Sequence, residues 1–211
     1  MNIEELKQEI QKYFEGTNPC HDFMHTERVK NLALHIGKKE NADLEIIEIA
    51  SLLHDIARKI QDESKGEICH AEQGGIIARE ILKSKGLEEN KINKIIHCIE
   101  THRFRKNNKP ESKEAQILYD ADKLDSIGAI GLARAISFSG SVGANVHNPN
   151  VDIANTKEYS KDDSAYREYL VKLSKIKNEL LTEEGKRIAQ ERHKFMEDFF
   201  TRINQEVAGE L

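Results

Sequence analysis

Residues 44–58 read LEIIEIASLLHDIAR, and this stretch contributes most to the prediction of the fold. Apolar side chains cover most sides of it from Leu44 to Ala57, which predicts a central, buried helix. His54 and Asp55 interrupt the apolar run. A buried carboxylate is costly unless a cation meets it, and imidazole nitrogen with carboxylate oxygen is a common metal-ligand set. We therefore expect a metal ion at this pair; the alternative is a hydrogen-bonded His–Asp pair without metal.

Helical periodicity continues on both sides of this stretch. A helix from Ile76 to Leu82 is expected to end near Gly86, and the last long helix to begin at Thr182, a suitable N-cap before two glutamates. No segment shows the alternation of a strand, so the sequence predicts an all-α protein. The apolar sets at helical spacing are Val29, Leu32, Ala33 and Ile36; Ile92, Ile95, Ile96 and Ile99; and Ile188, Phe195, Phe199 and Ile203.

Breaks in the pattern suggest the organisation of the chain. We expect one domain over residues 1–211, with a helical core over about 20–138, a flexible loop over about 139–157, and C-terminal helices over about 158–208 that pack back on the core. The sequence SGSVGANVHNPN, from Ser139 to Asn150, is rich in Gly, Ser and Asn. We expect it to be a mobile flap beside the active site; the alternative is an inert surface loop.

Charge and composition argue against several classes of partner. The 211 residues include 32 basic and 37 acidic side chains, for a net charge of −5, which disfavours nucleic acid and anionic membranes as partners. No apolar run approaches the roughly 18 residues of a membrane span, and no signal-peptide pattern opens the chain. Cys20, Cys69 and Cys98 form no obvious disulfide framework. We expect a cytoplasmic enzyme, whose oligomeric state the sequence leaves open.

Two further residues are expected to face the same interior as the His–Asp pair. His25 shares a helix face with Val29 and should point into the core, although a histidine satisfied by a backbone carbonyl would show the same pattern. Downstream, residues 119–128 read YDADKLDSIG. A helix that continues through them places Asp122 on the apolar face and Asp120 on the opposite side, as a cap or a surface residue.

The order His25, His54–Asp55 and Asp122 resembles the HD superfamily of metal-dependent phosphohydrolases. The strings that carry the resemblance are HDFMHTERV, LLHDIAR and DADKLDSIGAIGLAR, and the likeness covers about residues 20–138. It implies an HD-domain helical bundle, a divalent metal held by these four residues, and hydrolysis of phosphate esters or anhydrides. Mixed nitrogen and oxygen ligation suits Mn²⁺, Fe²⁺, Co²⁺, Ni²⁺ or Zn²⁺ better than Mg²⁺.

The resemblance also suggests roles for residues around these ligands. His70 and His102 complete a second metal shell, as in HD proteins with two metals, or bind phosphate and relay protons around a single ion. Asp125 or His102 is expected to orient water or protonate the leaving group, and Lys123 or Arg134 to help neutralise developing charge. The residues expected to bind substrate phosphates are His70, Arg28, Arg58 and Arg134.

Two other functions fit the same residues. A minority of HD-like proteins hold two irons and activate O₂, which makes a di-iron oxygenase the first alternative. The second is a non-catalytic sensor that binds a nucleotide in the same cleft. We expect the hydrolase, with a nucleotide or another small phosphorylated metabolite as its substrate.

Overall fold

The computed structural model describes residues 1–17, 21–104 and 108–211, so that Cys20 lies outside the described residues. Ten α-helices and no strand occur in this described part of the chain, which confirms the all-α prediction. The chain divides into two compact units, Met1–Asp122 and Lys123–Leu211. None of the described helices is long and apolar enough to cross a membrane.

The first unit is built around a helix that is apolar on nearly every side. Its helices are α1 (Ile3–Ile10), α2 (Phe23–Glu40), α3 (Leu44–Leu53), α4 (Arg58–Glu63), α5 (His70–Ser84), α6 (Glu89–Thr101) and α7 (Lys113–Asp125), the last of which crosses the boundary between the units. Helix α3 packs against α1, α2 and α6, while α5 packs against α4 and α6. Burial of α3 on several faces holds its C-terminal end inside the unit.

The central helix is shorter than the sequence predicts. Periodicity alone extended it to Ala57, but α3 ends at Leu53, and residues 54–57 form turns before α4 begins at Arg58. The apolar run continues past the helix because Ile56 and Ala57 are also buried. His54 and Asp55 are therefore presented from the end of a buried helix and not from its side.

The second unit contains the end of α7 and three further helices, α8 (Gly128–Ser141), α9 (Ala165–Val171) and α10 (Glu183–Ala208). Helix α8 packs against α9 and α10. The Thr182 side chain accepts the backbone N–H of Gly185 at 3.1 Å, which confirms the predicted N-cap of α10. Ser139–Ser141 are the last turn of α8, so the stretch without α-helix begins at residue 142 and extends to α9.

The buried face of α10 agrees with the predicted stripe at Ile188 but not at Phe195. Phe195 is 47% exposed, whereas Met196 and Phe200 are almost fully buried. The predicted and the observed sets of buried residues both have helical spacing, but they are centred on different sides of the helix. Periodicity identified the helix, but which of its faces is covered depends on the neighbouring elements.

Candidate metal centre

His54 is fixed by the end of helix α3. It is the C-cap residue, and its Nδ1 lies 2.7 Å from the Ser51 carbonyl oxygen, one of the carbonyls left without an intrahelical partner at a helix end. A carbonyl only accepts, so Nδ1 must donate and Nε2 carries a proton only if the ring is cationic. Nε2 is buried and has no hydrogen-bond partner among residues 1–17, 21–104 and 108–211. A neutral His54 therefore directs a lone pair into the interior.

Asp55 lies at the centre of a histidine cluster, with its side chain only 3% exposed. Imidazole nitrogens approach both of its oxygens. The distances to Oδ2 are 3.1 Å from His21 Nδ1, 3.7 Å from His25 Nε2 and 3.9 Å from His54 Nε2, and those to Oδ1 are 3.0 Å from His70 Nε2 and 3.8 Å from His102 Nε2. The two oxygens of one carboxylate thus face two different sets of histidines.

Asp55 is ionised in spite of its burial. Burial by itself would raise the pKa of the carboxyl, but the imidazoles of His54 and His70 and the hydrogen bond from His21 outweigh it and hold that pKa well below its usual range. His21 contributes as a donor because a carboxylate only accepts. The Asp55 carboxylate is therefore a buried negative charge within the cluster.

His25 and Asp122 form one group with His54, in which the ligand atoms lie within 4.8 Å of one another. Asp22 caps α2 by accepting the backbone N–H of His25 at 2.8 Å, which places His25 in the first turn with its side chain fully buried. His25 Nε2 lies 3.4 Å from Asp122 Oδ1, and the Asp122 side chain is 28% exposed. Burial opposes ionisation of Asp122, but the hydrogen bond and the charge of His25 lower the pKa of its carboxyl overall.

His70 and His102 form the group on the other side of Asp55. His102 follows α6 as its C-cap residue, and its Nδ1 donates to the Ile99 carbonyl at 2.6 Å, the same arrangement as at His54. Burial, with the neighbouring His70 and His54, lowers the pKa of His102 to about 3, so its ring is neutral near pH 7 and Nε2 is an acceptor. This atom lies 3.1 Å from His70 Nε2.

The donor atoms have the chemistry and spacing of metal ligands. Three groups have ligand atoms that lie within 4.8 Å of one another: His21, His25 and Asp55; His25, His54 and Asp122; and Asp55, His70 and His102. Bonds of about 2.0–2.2 Å to a metal bring neighbouring ligand atoms within a few ångströms of each other. Lone pairs and carboxylates that face one another in a buried space need a cation between them. The residues therefore fit a metal ion, and Asp55 belongs to groups on both sides.

Several residues expected at the site have other contacts. Arg58 forms an ion pair with Asp62 at 3.2 Å. Burial lowers the pKa of His21, and the positive charge of Arg58 lowers it further. In the second unit, Arg134 donates to Asp125 at 2.7 Å, and Lys123 pairs with Glu179 at the same distance. Arg28 is half-buried on α2. The catalytic and phosphate-binding roles of these residues stay predictions.

The prediction for Asp120 was wrong, and His21 and Gln61 were not predicted. Asp120 is fully buried and not at the surface, because α7 is covered on more than its apolar face. His21 precedes α2, so helical periodicity cannot place it; its position four residues before His25 was the available signal. Gln61 accepts a hydrogen bond from His70 Nδ1 at 2.9 Å, and no motif points to it.

Comparison with known proteins gives the same outline. A profile of the HD domain family matches residues 22–127, a segment that contains all the cluster residues named above except His21. The uncharacterized protein YpgQ of Bacillus subtilis (strain 168) is 31% identical over 211 residues, which covers 98% of this chain and 94% of YpgQ.

Solved structures extend the likeness over nearly the whole chain. The structure of Bacillus subtilis YpgQ in complex with ADP has a TM-score of 0.74 and 28% identity, and the match covers 97% of this chain and 94% of that one. The structure of an HD-superfamily hydrolase from Bacillus thuringiensis has a TM-score of 0.76 and 27% identity, covering 98% of this chain and 96% of that one.

Proposed function

This chain belongs to the HD domain family, and we propose that it is a metal-dependent hydrolase of phosphate esters or anhydrides. The observation that carries the proposal is the convergence of five imidazole nitrogens on the buried Asp55, which has no ion pair with lysine or arginine in the described part of the chain. The likeness to an HD-superfamily hydrolase of known structure supports the same reaction class.

The first ion would be held by His25, His54, Asp55 and Asp122, and a second by Asp55, His70 and His102. Such a ligand set suits Mn²⁺, Fe²⁺, Co²⁺, Ni²⁺ or Zn²⁺. When bound, a divalent metal supplies Lewis acidity, which lowers the pKa of water and offsets negative charge on phosphoryl oxygens.

The protein's own groups hold and orient this site. The carbonyls of Ser51 and Ile99 fix the protons of His54 and His102 on Nδ1, so that both Nε2 atoms are presented as ligands. His21 donates to Asp55 Oδ2 and keeps the carboxylate from rotating. We assign catalytic roles to Asp125 and Lys123 and phosphate binding to Arg28, Arg58 and Arg134. In a protein that binds a single ion, His102 would join the first group and His70 the second.

We propose a nucleotide or another small phosphorylated metabolite as the substrate. The net charge of −5 disfavours nucleic acid as a partner, while a bound metal reverses the field locally for a small anion. The complex of YpgQ with ADP, together with the likeness of this chain to YpgQ, supports a nucleotide.

The experiment is a screen of the metal-free protein for release of phosphate and pyrophosphate. Nucleoside mono-, di- and triphosphates and simple phosphomonoesters are each tested with Mn²⁺, Co²⁺, Ni²⁺ and Mg²⁺. We expect turnover with at least one transition metal and none in Asp55→Asn, while His35→Ala, which alters an exposed histidine of α2, keeps the wild-type rate. No release from any substrate with any metal would contradict the proposal.

A di-iron oxygenase is the second candidate. It is favoured by one observation, that the two oxygens of Asp55 face separate histidine groups, as a carboxylate between two metal ions would. An iron-loaded protein that consumes O₂ and shows an iron-dependent absorption band, without phosphate release, would support this candidate over the hydrolase.

A further inference from the structure

The side chain of Gln61, on α4, lies against the first residue of α5. Its Oε1 lies 2.9 Å from His70 Nδ1, 3.3 Å from the backbone N of His70 and 2.8 Å from Arg103 Nη1. Helix α5 has no side-chain hydrogen bond from its N-cap residue, Cys69, so Gln61 provides the acceptor at this helix end. One amide oxygen therefore joins the start of α5 to Arg103, the residue after His102.

These contacts decide which nitrogen of His70 carries the proton. A backbone N–H and a guanidinium only donate, so the atom that both approach must be the amide oxygen of Gln61 and not its nitrogen. His70 Nδ1 approaches the same oxygen and must donate to it. In the neutral ring, Nε2 is then an acceptor that faces Asp55 Oδ1 at 3.0 Å and His102 Nε2 at 3.1 Å.

His70 differs in this respect from His54 and His102. His54 and His102 donate to backbone carbonyls of the helices that they follow, so the main chain sets their tautomers. The tautomer of His70 depends on one replaceable side chain. In metal sites, a group that hydrogen-bonds to a ligand histidine raises the basicity of that ligand and fixes the orientation of its ring.

We propose that Gln61, held by Arg103, is the positioning residue of His70 and thereby of a second cation bound by Asp55, His70 and His102. The proposal rests on the proposed function only in needing a cation at this place. Gln61 is half-buried and, with Cys69 and Arg103, lines a cavity of about 320 Å³. A substitution there removes the hydrogen bonds of this amide oxygen but little core packing.

The test is a titration of the metal-free protein with Mn²⁺ alone, in which free Mn²⁺ is followed by its electron paramagnetic resonance signal. The wild type is expected to bind two ions. Gln61→Leu should weaken the affinity for the second ion by about 10–100-fold and leave the affinity for the first unchanged. A loss of this size is typical when a residue that hydrogen-bonds to a metal ligand is replaced. Gln61→Glu keeps the acceptor oxygen and should bind the second ion at least as tightly as the wild type. Arg103→Met should weaken it less than Gln61→Leu does.

The matched control is Gln116→Leu. Gln116 is also a half-buried glutamine of the first unit, but its side chain donates to the Pro110 carbonyl. This variant should bind both ions as the wild type does. Thermal unfolding of the metal-free proteins checks the fold, and if Gln61→Leu does not fold, Gln61→Asn removes the contact by shortening the side chain and should show the same weakening.

Three outcomes would overturn the proposal. They are an unchanged affinity for the second ion in Gln61→Leu, an equal loss of that affinity in Gln61→Leu and Gln61→Glu, or binding of a single ion by the wild type. Because the titration needs no turnover, it separates this proposal from the hydrolase. A second ion lost in Gln61→Leu, with no phosphate release from any substrate, would support the positioning role and contradict the hydrolase. Phosphate release by the wild type, with an unchanged affinity for the second ion in Gln61→Leu, would support the hydrolase and contradict the positioning role.

Discussion

The two units of the molecule treat buried polar groups in opposite ways. In the second unit, Asp163 accepts from Arg167 at 2.9 Å and from the backbone N–H of Tyr159 at 2.7 Å, while Arg167 also donates to Thr156 at 2.7 Å. Each acceptor there meets a donor. In the first unit, His54 and His102 donate from Nδ1 to backbone carbonyls, which directs their Nε2 acceptor atoms towards Asp55, and His102 Nε2 also faces His70 Nε2.

This difference separates a group that stabilises the fold from a group that could hold a metal ion. A buried ion pair with complementary hydrogen bonds is complete within the protein, so breaking it costs stability. Acceptors that face acceptors cost stability until a cation enters, so the same burial predicts affinity for a metal. The four predictions that follow test each side of this contrast.

Replacing Asp55 by Asn should have the largest effect. The variant removes the charge that both ligand groups share, so we expect it to lose both ions. The value of kcat/KM should fall by more than about 100-fold, which exceeds the loss typical of residues that only hydrogen-bond to a metal ligand. Elemental analysis and phosphate release measure these effects. Full metal occupancy in Asp55→Asn would contradict the metal centre.

Breaking the ion pair of Asp163 and Arg167 in the second unit should lower stability and leave metal binding unchanged. Arg167→Met leaves Asp163 buried without its guanidinium partner and should lower the free energy of unfolding by about 3–5 kcal/mol, with metal affinity unchanged. Urea unfolding measures the loss. The control is Arg202→Met, which removes an exposed ion pair with Glu206 and should cost less than about 1 kcal/mol. Equal losses in the two variants would show that the buried pair adds no stability.

Metal should stabilise the protein only through the Asp55 cluster. At a free Mn²⁺ concentration of about 100 times Kd, the free energy of unfolding should rise by about 2.7 kcal/mol for one site. Arg167→Met should gain a similar amount, and Asp55→Asn should gain nothing. Urea unfolding with and without Mn²⁺ measures the gain. Equal stabilisation of Asp55→Asn would place the ion elsewhere.

The smallest effect is a pH dependence in the second unit. Lys177 donates to His193 Nε2 at 2.8 Å, and burial together with this lysine lowers the pKa of His193. The unfolded chain, with a histidine pKa near 6.5, then binds the proton more readily than the folded protein. The stability from this group is therefore complete above about pH 6.5 and is lost as the pH falls, by at most about 1.4 kcal/mol per pH unit.

His193→Gln removes this proton, so the stability of the metal-free wild type should fall more steeply than that of the variant between about pH 7.5 and 5.5. Urea unfolding in a chelating buffer measures both slopes, and the remaining histidines are common to the two proteins. Identical slopes would show that the pKa of His193 is the same in the folded and the unfolded chain.

Much of the fold and part of the candidate site could be predicted from the sequence. Periodicity identified helices on both sides of the central one, and a suitable cap located the start of α10 at Thr182. The inward direction of His25 followed from its spacing to Val29, and both are fully buried. These predictions succeeded because a helix repeats every 3.6 residues and its caps depend on residues next to it in the chain.

The remaining features depend on packing between elements that are distant in sequence. Only the tertiary structure decided that α3 ends at Leu53 and that Asp55 is surrounded by histidines from several helices. It also decided which face of α10 is covered and that Gln61 reaches His70. The sequence by itself determined the helices and the ligand types, because these follow from local spacing and side-chain chemistry. Which atoms face each other is set by how the helices pack, and no local pattern in the chain records that.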